Sequence, residues 1–542
     1  MVAARCATEG DLLSVQIRPM AASTFVSPVA LGWVVTAVTV ALALRAPRLP
    51  DAVPASARHP ALGPLVVALA VIGTRLVLRP RFFGDWFLGD EMLSGCINPF
   101  DLQRGATPWA DHTHYLSFAI TLATYGVFGF SPPVARLRNI LAVAAAAALF
   151  HVAIRRATDR RFAWISSLVI ILAGPYVAQS LFATEIGLSL VPTAIALLLL
   201  VGAVTAPRAF ALGPLAAAAM FVYPSSPIAI AALTVAHALV FRHRWSRTAG
   251  LAGVAGFGAG AILVPLVRWL VTGGVRTAQW SGGGLDLASV PAGLRMLAND
   301  VVLHSDSFDA VNLNAPYVDT ALLGFVVVGI AAGWRARDTR WRWACVGVVA
   351  FVASLLAASV TGANPGIRRA FAAQPFLAFA IARGVIEFRR RAPRSLAAAL
   401  PLVALGLVVW HTVRLVASWY LLPVPEFMPS ARAVLAAEQM AGRDVVVVGE
   451  REDPYGGQAF SCALALDRPV ASRLGNLLPV RRAELAMLRN PPRGPLVVLA
   501  SQPIDEGQLA KAFGRGPAET IPRQPTGHDP LALRMVYLLP PA

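Results

Sequence analysis

Charge is scarce in this sequence, lysine is scarcer, and cysteine is nearly absent. Asp, Glu, Lys and Arg make up 14% of the 542 residues, against about 25% in an ordinary soluble domain. A chain built only of water-facing domains is thereby excluded. The one lysine, Lys511, stands among dozens of arginines, which reads as compositional bias of the genome, not as function. The cysteines Cys6, Cys96, Cys345 and Cys462 form no C-x-x-C pair and no metal-ligand spacing, so neither a zinc module nor a dithiol redox motif is encoded.

Hydrocarbon fills the gap: 56% of the residues are hydrophobic and the mean hydropathy is +0.62. Apolar runs fall at about 25–44, 61–79, 137–154, 162–180, 188–206, 209–223, 226–241, 248–270, 319–333, 344–360, 371–386 and 395–418. Most are close to the roughly 20 residues that a helix needs to cross a bilayer. The links between them come in two chemical classes. One is short and arginine-rich: Arg155-Arg156 with Arg160-Arg161, then 241–247, 334–343 and 388–394. The other is longer or poor in clustered basic charge: 80–136, 180–187, 271–318 and 359–370. The classes alternate, which assigns the first to the cytoplasm and the second to the outside. The formal charge of +18 belongs to this pattern, and no nucleic-acid partner is expected.

The expected architecture is an all-α polytopic membrane domain of about 11–12 transmembrane helices with a small C-terminal α/β extracytoplasmic domain. Residues 1–60 form an N-terminal segment with an extra span at 25–44, 61–418 the membrane domain, and 419–542 the outer domain, in a protein of the plasma (inner) membrane. In the outer domain Val445–Val448 and Pro495–Ala500 read as buried strands, and 533–539 as a final strand. Helical patterns near 430–441, 457–466, 480–489 and 505–514 alternate with them, which predicts a largely parallel sheet. No G-x-G-x-x-G follows Gly449, so a nucleotide site is not expected there.

Chemistry concentrates in the outside links. Gly84-Asp-Trp-Phe-Leu-Gly-Asp-Glu-Met-Leu93 puts Asp85, Asp90 and Glu91 at the membrane surface directly after the run 61–79. Carboxylates so close to hydrocarbon are costly unless solvated, paired or functional. Asp111-His-Thr-His114 precedes an aromatic stretch, 115–129, suited to lying in the interface. His112 and His114 are a thin basis for a metal site, and interfacial hydrogen bonding is their simpler role. Glu185 is a second acidic point, in 180–187, and 271–318 brings His304, Asp306 and Asp309. Arg368 and Arg369 sit outside, against the positive-inside trend, where an anionic partner such as phosphate gives them a reason to be. Snorkelling at the helix end is the plainer alternative.

These features, in this order, resemble the GT-C superfamily of membrane glycosyltransferases, closest to the protein O-mannosyltransferase and lipid A aminoarabinose transferase branch. The matching residues are Gly89-Asp90-Glu91, the juxtamembrane helical stretch after it, Ala135-Arg136-Leu137 at the start of the next span, and Arg369-Ala-Phe-Ala-Ala-Gln-Pro375. The resemblance covers about 61–418. The family carries an aromatic directly after the late arginine, whereas here Ala370 stands there and Phe371 follows; the run at 25–44 is also a departure.

The resemblance implies a sugar donor on polyprenyl phosphate and a hydroxyl acceptor on a glycan, lipid or protein. Asp90 would be the general base, assisted by Glu91 or Glu185. Asp85, Arg136, Glu185 and His304 would contact substrate, and Arg368 and Arg369 would hold the phosphate. Some relatives use a divalent cation and others none, so metal dependence stays open. A lipid or glycan transporter or flippase, or a non-catalytic envelope assembly protein, are the competing readings. Few ionisable residues fall mid-span, where coupled transport would use them.

Overall fold

The computed structural model describes residues 62–79, 114–223, 225–272, 319–331, 337–360, 367–420, 443–449, 477–481, 493–500, 502–522 and 535–541, with single residues between them. The chain divides into two compact units, one of Met1–Phe83, Ala110–Thr124 and Ala135–Leu421, the other of Gly84–Trp109, Tyr125–Val134 and Leu422–Ala542.

The helical elements are α1 (Leu62–Val77), α2 (Tyr115–Phe128), α3 (Pro132–Ala157), α4 (Arg160–Leu172), α5 (Gly174–Leu181), α6 (Leu190–Leu200), α7 (Ala206–Met220), α8 (Ser225–Val240) and α9 (Arg247–Thr272). They continue with α10 (Thr320–Ala331), α11 (Thr339–Val360), α12 (Leu377–Arg391) and α13 (Arg394–Tyr420). Every apolar run from 61–79 onward is thus helical; the run 25–44 lies outside the described residues. Five helical stretches among the described residues are long and apolar enough to cross a membrane. The protein is a multi-pass membrane protein.

Two runs are not the single spans that hydropathy predicts. The run 162–180 breaks at Ala173, which is extended (φ −64, ψ 131), and α5 restarts with Pro175 in its first turn. Proline has no N–H to continue the ladder of α4, yet suits a first helical turn. The run 188–206 ends early, because Gly202 takes φ +84 and Thr205-Ala206-Pro207 opens α7. A hydropathy window cannot see either break, since the flanking residues stay apolar.

Helices meet through glycine. A Cβ on Gly256 of α9 would overlap Phe210 O of α7, and one on Gly384 of α12 would overlap Phe325 O of α10. Between helices surrounded by lipid there is little hydrophobic drive, and backbone approach at small residues supplies the contact.

Among the described residues, two of the arginine-rich links meet. Arg340 Nε donates to Asp159 Oδ2 at 2.5 Å, joining the arginine-rich links 155–161 and 334–343. Val204 bridges to Trp245 at the link 241–247. Elsewhere Leu116 N donates to Phe221 O at 2.9 Å, and His114 of the link 80–136 approaches Glu185 of the link 180–187.

The second unit holds a five-stranded sheet of β1 (Asp444–Gly449), β2 (Leu477–Arg481), β3 (Leu496–Ala500), β4 (Glu519–Pro522) and β5 (Met535–Leu539), with α14 (Glu506–Phe513) between β3 and β4. The order is β2-β1-β3-β5-β4. The first three strands are parallel, while β5 runs antiparallel to both β3 and β4. The sheet is thus mixed, not largely parallel. The predicted strands at 445–448, 495–500 and 533–539 are present, as is the helix near 505–514. Residues 480–481, read as the start of a helix, close the edge strand β2, where Pro479 costs no interior ladder bond. Val446, Val448, Leu496, Val498, Leu509 and Phe513 form the core of this unit. The buried Tyr537 hydroxyl accepts from Ile504 N at 2.6 Å and fixes the approach to α14.

Candidate active site

Residues 182–185 connect α5 to a 3-10 turn, Ile186–Ser189, and this short link is held from three sides. Arg138, buried in the second turn of α3, donates Nη2 to Ala183 O and Thr184 O, each at 3.1 Å. Its Nη1 donates to Thr121 Oγ1 of α2. Asn139 donates Nδ2 to Thr184 O at 2.6 Å and to Phe182 O. Gly187 leaves no slack, since a Cβ there would lie 3.1 Å from Gln179 O and 3.2 Å from Asn139 Cγ. The fully buried Arg75 of α1 donates Nε to Ser180 Oγ at 3.0 Å and Nη1 to Ile171 O, one of the carbonyls left over at the end of α4. Arg75 therefore pins the break between α4 and α5 from which the link emerges.

The product of this bracing is a fixed carboxylate. Glu185 is buried and faces His114, with Nδ1 and Oε1 3.5 Å apart. His114 is bedded against the rings of Tyr223 at 5.4 Å and Phe118 at 6.0 Å. A third piece abuts the same place. The 3-10 segment Ile367–Phe376 packs on Ile186–Ser189, and Phe371 lies 5.6 Å from Tyr176 of α5. Arg368 and Arg369 begin that segment; their side chains are outside the described residues.

Of the residues that the sequence singled out, Glu185 is described with its neighbour His114, and Arg368 and Arg369 are described in their backbone alone. Arg136 is fully buried in the first turns of α3. Asp85, Asp90, Glu91 and His304 lie outside the described residues. His114 has Glu185 as its charged neighbour, but its Nδ1 makes no hydrogen bond among the described residues. Arg138, Asn139 and Arg75 had no assigned role from the sequence. Their signal was polar and guanidinium groups at span ends, where hydrocarbon burial makes each one need a purpose.

One carboxylate and one imidazole are half of the four protein ligands of a closed zinc site. Among the described residues no group of three His, Cys, Asp or Glu converges. Those residues by themselves do not make a metal centre.

A cavity of about 310 Å³ lies between α1, α4, α5 and α13, lined by Gly73, Val77, Ile171, Val177, Val409 and Val413 among others. Its two threonines turn their hydroxyls away into helix backbone, Thr74 to Ala70 O at 2.7 Å and Thr412 to Leu172 O at 2.9 Å. The wall is hydrocarbon.

No family model and no curated protein matches the sequence. Solved structures do. ArnT from Cupriavidus metallidurans bound to undecaprenyl phosphate superposes with a TM-score of 0.52 at 13% identity, covering 88% of this chain and 97% of that one. The same protein in the apo state gives 0.50 at 14% identity over the same shares. The chain has the ArnT fold. A helical membrane domain with a small α/β domain is the architecture that the sequence predicts. Within the ArnT fold of this chain, the braced Glu185, its His114 partner and the 367–376 segment are the described part of the candidate site.

Removing the Arg138 fork tests the bracing. Arg138→Met is expected to cost about 1.5–3 kcal/mol, the worth of hydrogen bonds made by a charged donor. Arg138→Lys should recover part of it. Thermal unfolding of the detergent-purified variants reads both.

Proposed function

We propose that the chain is an inverting glycosyltransferase that moves a sugar from a polyprenyl-phosphate donor to a hydroxyl acceptor at the extracytoplasmic membrane face. The observation that carries this reading is the ArnT fold, matched across nearly all of a protein that was solved with undecaprenyl phosphate. The braced Glu185 at the meeting point of the acid-bearing links supports it, because catalysis needs carboxylates held in fixed geometry.

In this reading Asp90 takes the proton of the acceptor hydroxyl as its oxygen attacks the anomeric carbon. The bond from that carbon to the lipid phosphate breaks, and the phosphate leaves with the electron pair. A phosphate is already a good leaving group, so one carboxylate suffices where glycoside hydrolases use two. The outcome is inversion. Glu91 or Glu185 orients Asp90 or a divalent cation, Asp85, Arg136 and His304 contact substrate, and Arg368 and Arg369 hold the phosphate. The hydrocarbon-walled cavity suits part of the isoprenoid chain. The acceptor is a glycan, lipid or protein bearing a hydroxyl.

Two experiments test the reading. The glycosidic linkage of the product, determined by NMR, should have the opposite anomeric configuration to the donor; retention would overturn the single-displacement step. Single cysteines placed at 285 and 450 should react with an impermeant reagent on intact cells. Labelling only after permeabilisation would put the site on the wrong side of the membrane.

A further inference from the structure

Two buried serine hydroxyls stand apart from the others in the helical unit. Every other buried serine among the described residues donates its hydroxyl to a backbone carbonyl, as Ser167 does to Ala163 O at 2.8 Å, Ser180 to Val177 O at 2.9 Å and Ser354 to Ala350 O at 2.8 Å. Ser117 and Ser225 have relative exposures of 0% and 1%, and their Oγ atoms make no hydrogen bond. The reason is local. Ser117 is in the first turn of α2 and Ser225 opens α8, so neither has a full helical turn behind it to supply a carbonyl. Phe221 O, at the end of α7, is taken by Leu116 N at 2.9 Å and Ser117 N at 3.3 Å. A buried hydroxyl without a partner is destabilising, and its presence calls for a use.

Both serines belong to the segments that meet at Glu185. Ser117 lies one turn on from His114, whose Nδ1 is 3.5 Å from Glu185 Oε1 and makes no hydrogen bond among the described residues. Ser225 sits between Tyr223 and Ser226. The Tyr223 ring packs on His114 with centroids 5.4 Å apart, and the Ser226 hydroxyl donates to Ser189 O at 3.1 Å, in the turn after Glu185. The chemistry of this set selects its ligand. A serine hydroxyl and a sugar hydroxyl each donate one hydrogen bond and accept others, so they pair in either sense. The Glu185 carboxylate accepts from a hydroxyl but repels an anion such as phosphate. No group of three His, Cys, Asp or Glu converges among the described residues, so these groups by themselves make no metal site.

We propose that Ser117, Ser225, His114 and Glu185 form a subsite for the hydroxyl groups of the donor's sugar ring, a proposal that rests on the transferase reading above. Ring hydroxyls pair with Ser117 Oγ, Ser225 Oγ and His114 Nδ1, and one donates to Glu185. The serine hydroxyls are closed off in this structure. His114, with 16% of its side chain exposed, is the edge from which the ring enters. An acceptor glycan carries the same kind of hydroxyl, and titrating a lipid-linked sugar and a free oligosaccharide separately tells the two apart.

The test is thermal unfolding of the detergent-purified full chain, titrated with undecaprenyl phosphate, with undecaprenyl phosphate carrying mannose, glucose or arabinose, and with maltotriose. At least one sugar-bearing lipid is expected to bind the parent about tenfold more tightly than the bare lipid phosphate. Ser117→Ala and Ser225→Ala should each reduce that preference about three- to tenfold, and the double variant should lose it, with affinity for the bare lipid phosphate unchanged. Without ligand, the alanine variants should unfold at or above the parent's temperature, because no bond is lost. Ser117→Thr, which keeps a hydroxyl, should keep part of the preference. A double variant with the parent's preference would overturn the subsite, and so would alanine variants that are less stable without ligand. A parent that binds bare and sugar-bearing lipid equally would overturn the subsite and leave the donor reading standing. A parent that binds neither would overturn the transferase reading as well. Stabilisation by maltotriose but by no sugar over the bare lipid would overturn the assignment to the donor.

Discussion

Purified Asp90→Asn is expected to lose about 10²–10⁴-fold in sugar transfer, the usual contribution of a general base, while keeping the parent's thermal stability. Asparagine preserves the size and most hydrogen bonds of the side chain but cannot accept the acceptor's proton. Asp90 is favoured over its neighbours because Gly89-Asp90-Glu91 follows α1 at the membrane surface and matches the acidic motif of the family that the sequence resembles. Asp85→Asn should be milder, since a substrate contact is easier to replace than the base. A folded Asp90→Asn with near-normal turnover would remove Asp90 from the role.

Arg369→Ala is expected to weaken donor binding roughly ten- to hundred-fold, the worth of a charge-assisted hydrogen bond of about 1.5–3 kcal/mol. Arg369→Lys should weaken it less, because lysine keeps the charge and loses only the paired donors. The acceptor's apparent affinity should barely change, which separates a donor-phosphate contact from general damage. Arg368 and Arg369 lie in the link 359–370, which the charge pattern of the sequence assigns to the side where positive residues are unusual. The segment 367–376 that carries them packs on the turn after Glu185. If Arg368→Ala and Arg369→Ala, singly and together, leave donor affinity unchanged, the pair only anchors the end of a helix.

Much of the fold was legible because hydropathy acts over windows of about 20 residues. The apolar runs from 61–79 onward became helices. Local chemistry inside a window was not legible. Pro175 breaks the run 162–180 and Gly202 ends 188–206 without any drop in hydropathy. In the second unit, β2 was hidden because its five residues carry a proline and adjoin a helical pattern, so only pairing with β1 defines it.

The site was legible as a set of residue types and illegible as a set of contacts. Glu185 stood out as an acid in a short outer link, and the structure gives it a fixed neighbour. Nothing in the sequence near Glu185 points to His114, which arrives through the tie between α2 and the end of α7. Arg138 and Asn139 looked like polar residues opening a span, and their task of holding the carbonyls of 182–184 exists only in three dimensions. Arg75 was swallowed by the apolar run 61–79, yet it seals the break between α4 and α5.

Transfer of sugar from a polyprenyl phosphate by this protein can be measured directly. Purified protein is incubated with a polyprenyl-phosphate sugar labelled in the sugar and with membrane extract as a source of hydroxyl acceptors. The account predicts that label moves to an acceptor, that unlabelled polyprenyl phosphate appears in equal amount, and that Asp90→Asn does neither. Label that stays on the lipid and merely crosses the bilayer when the protein is reconstituted in vesicles would contradict the account and identify a flippase.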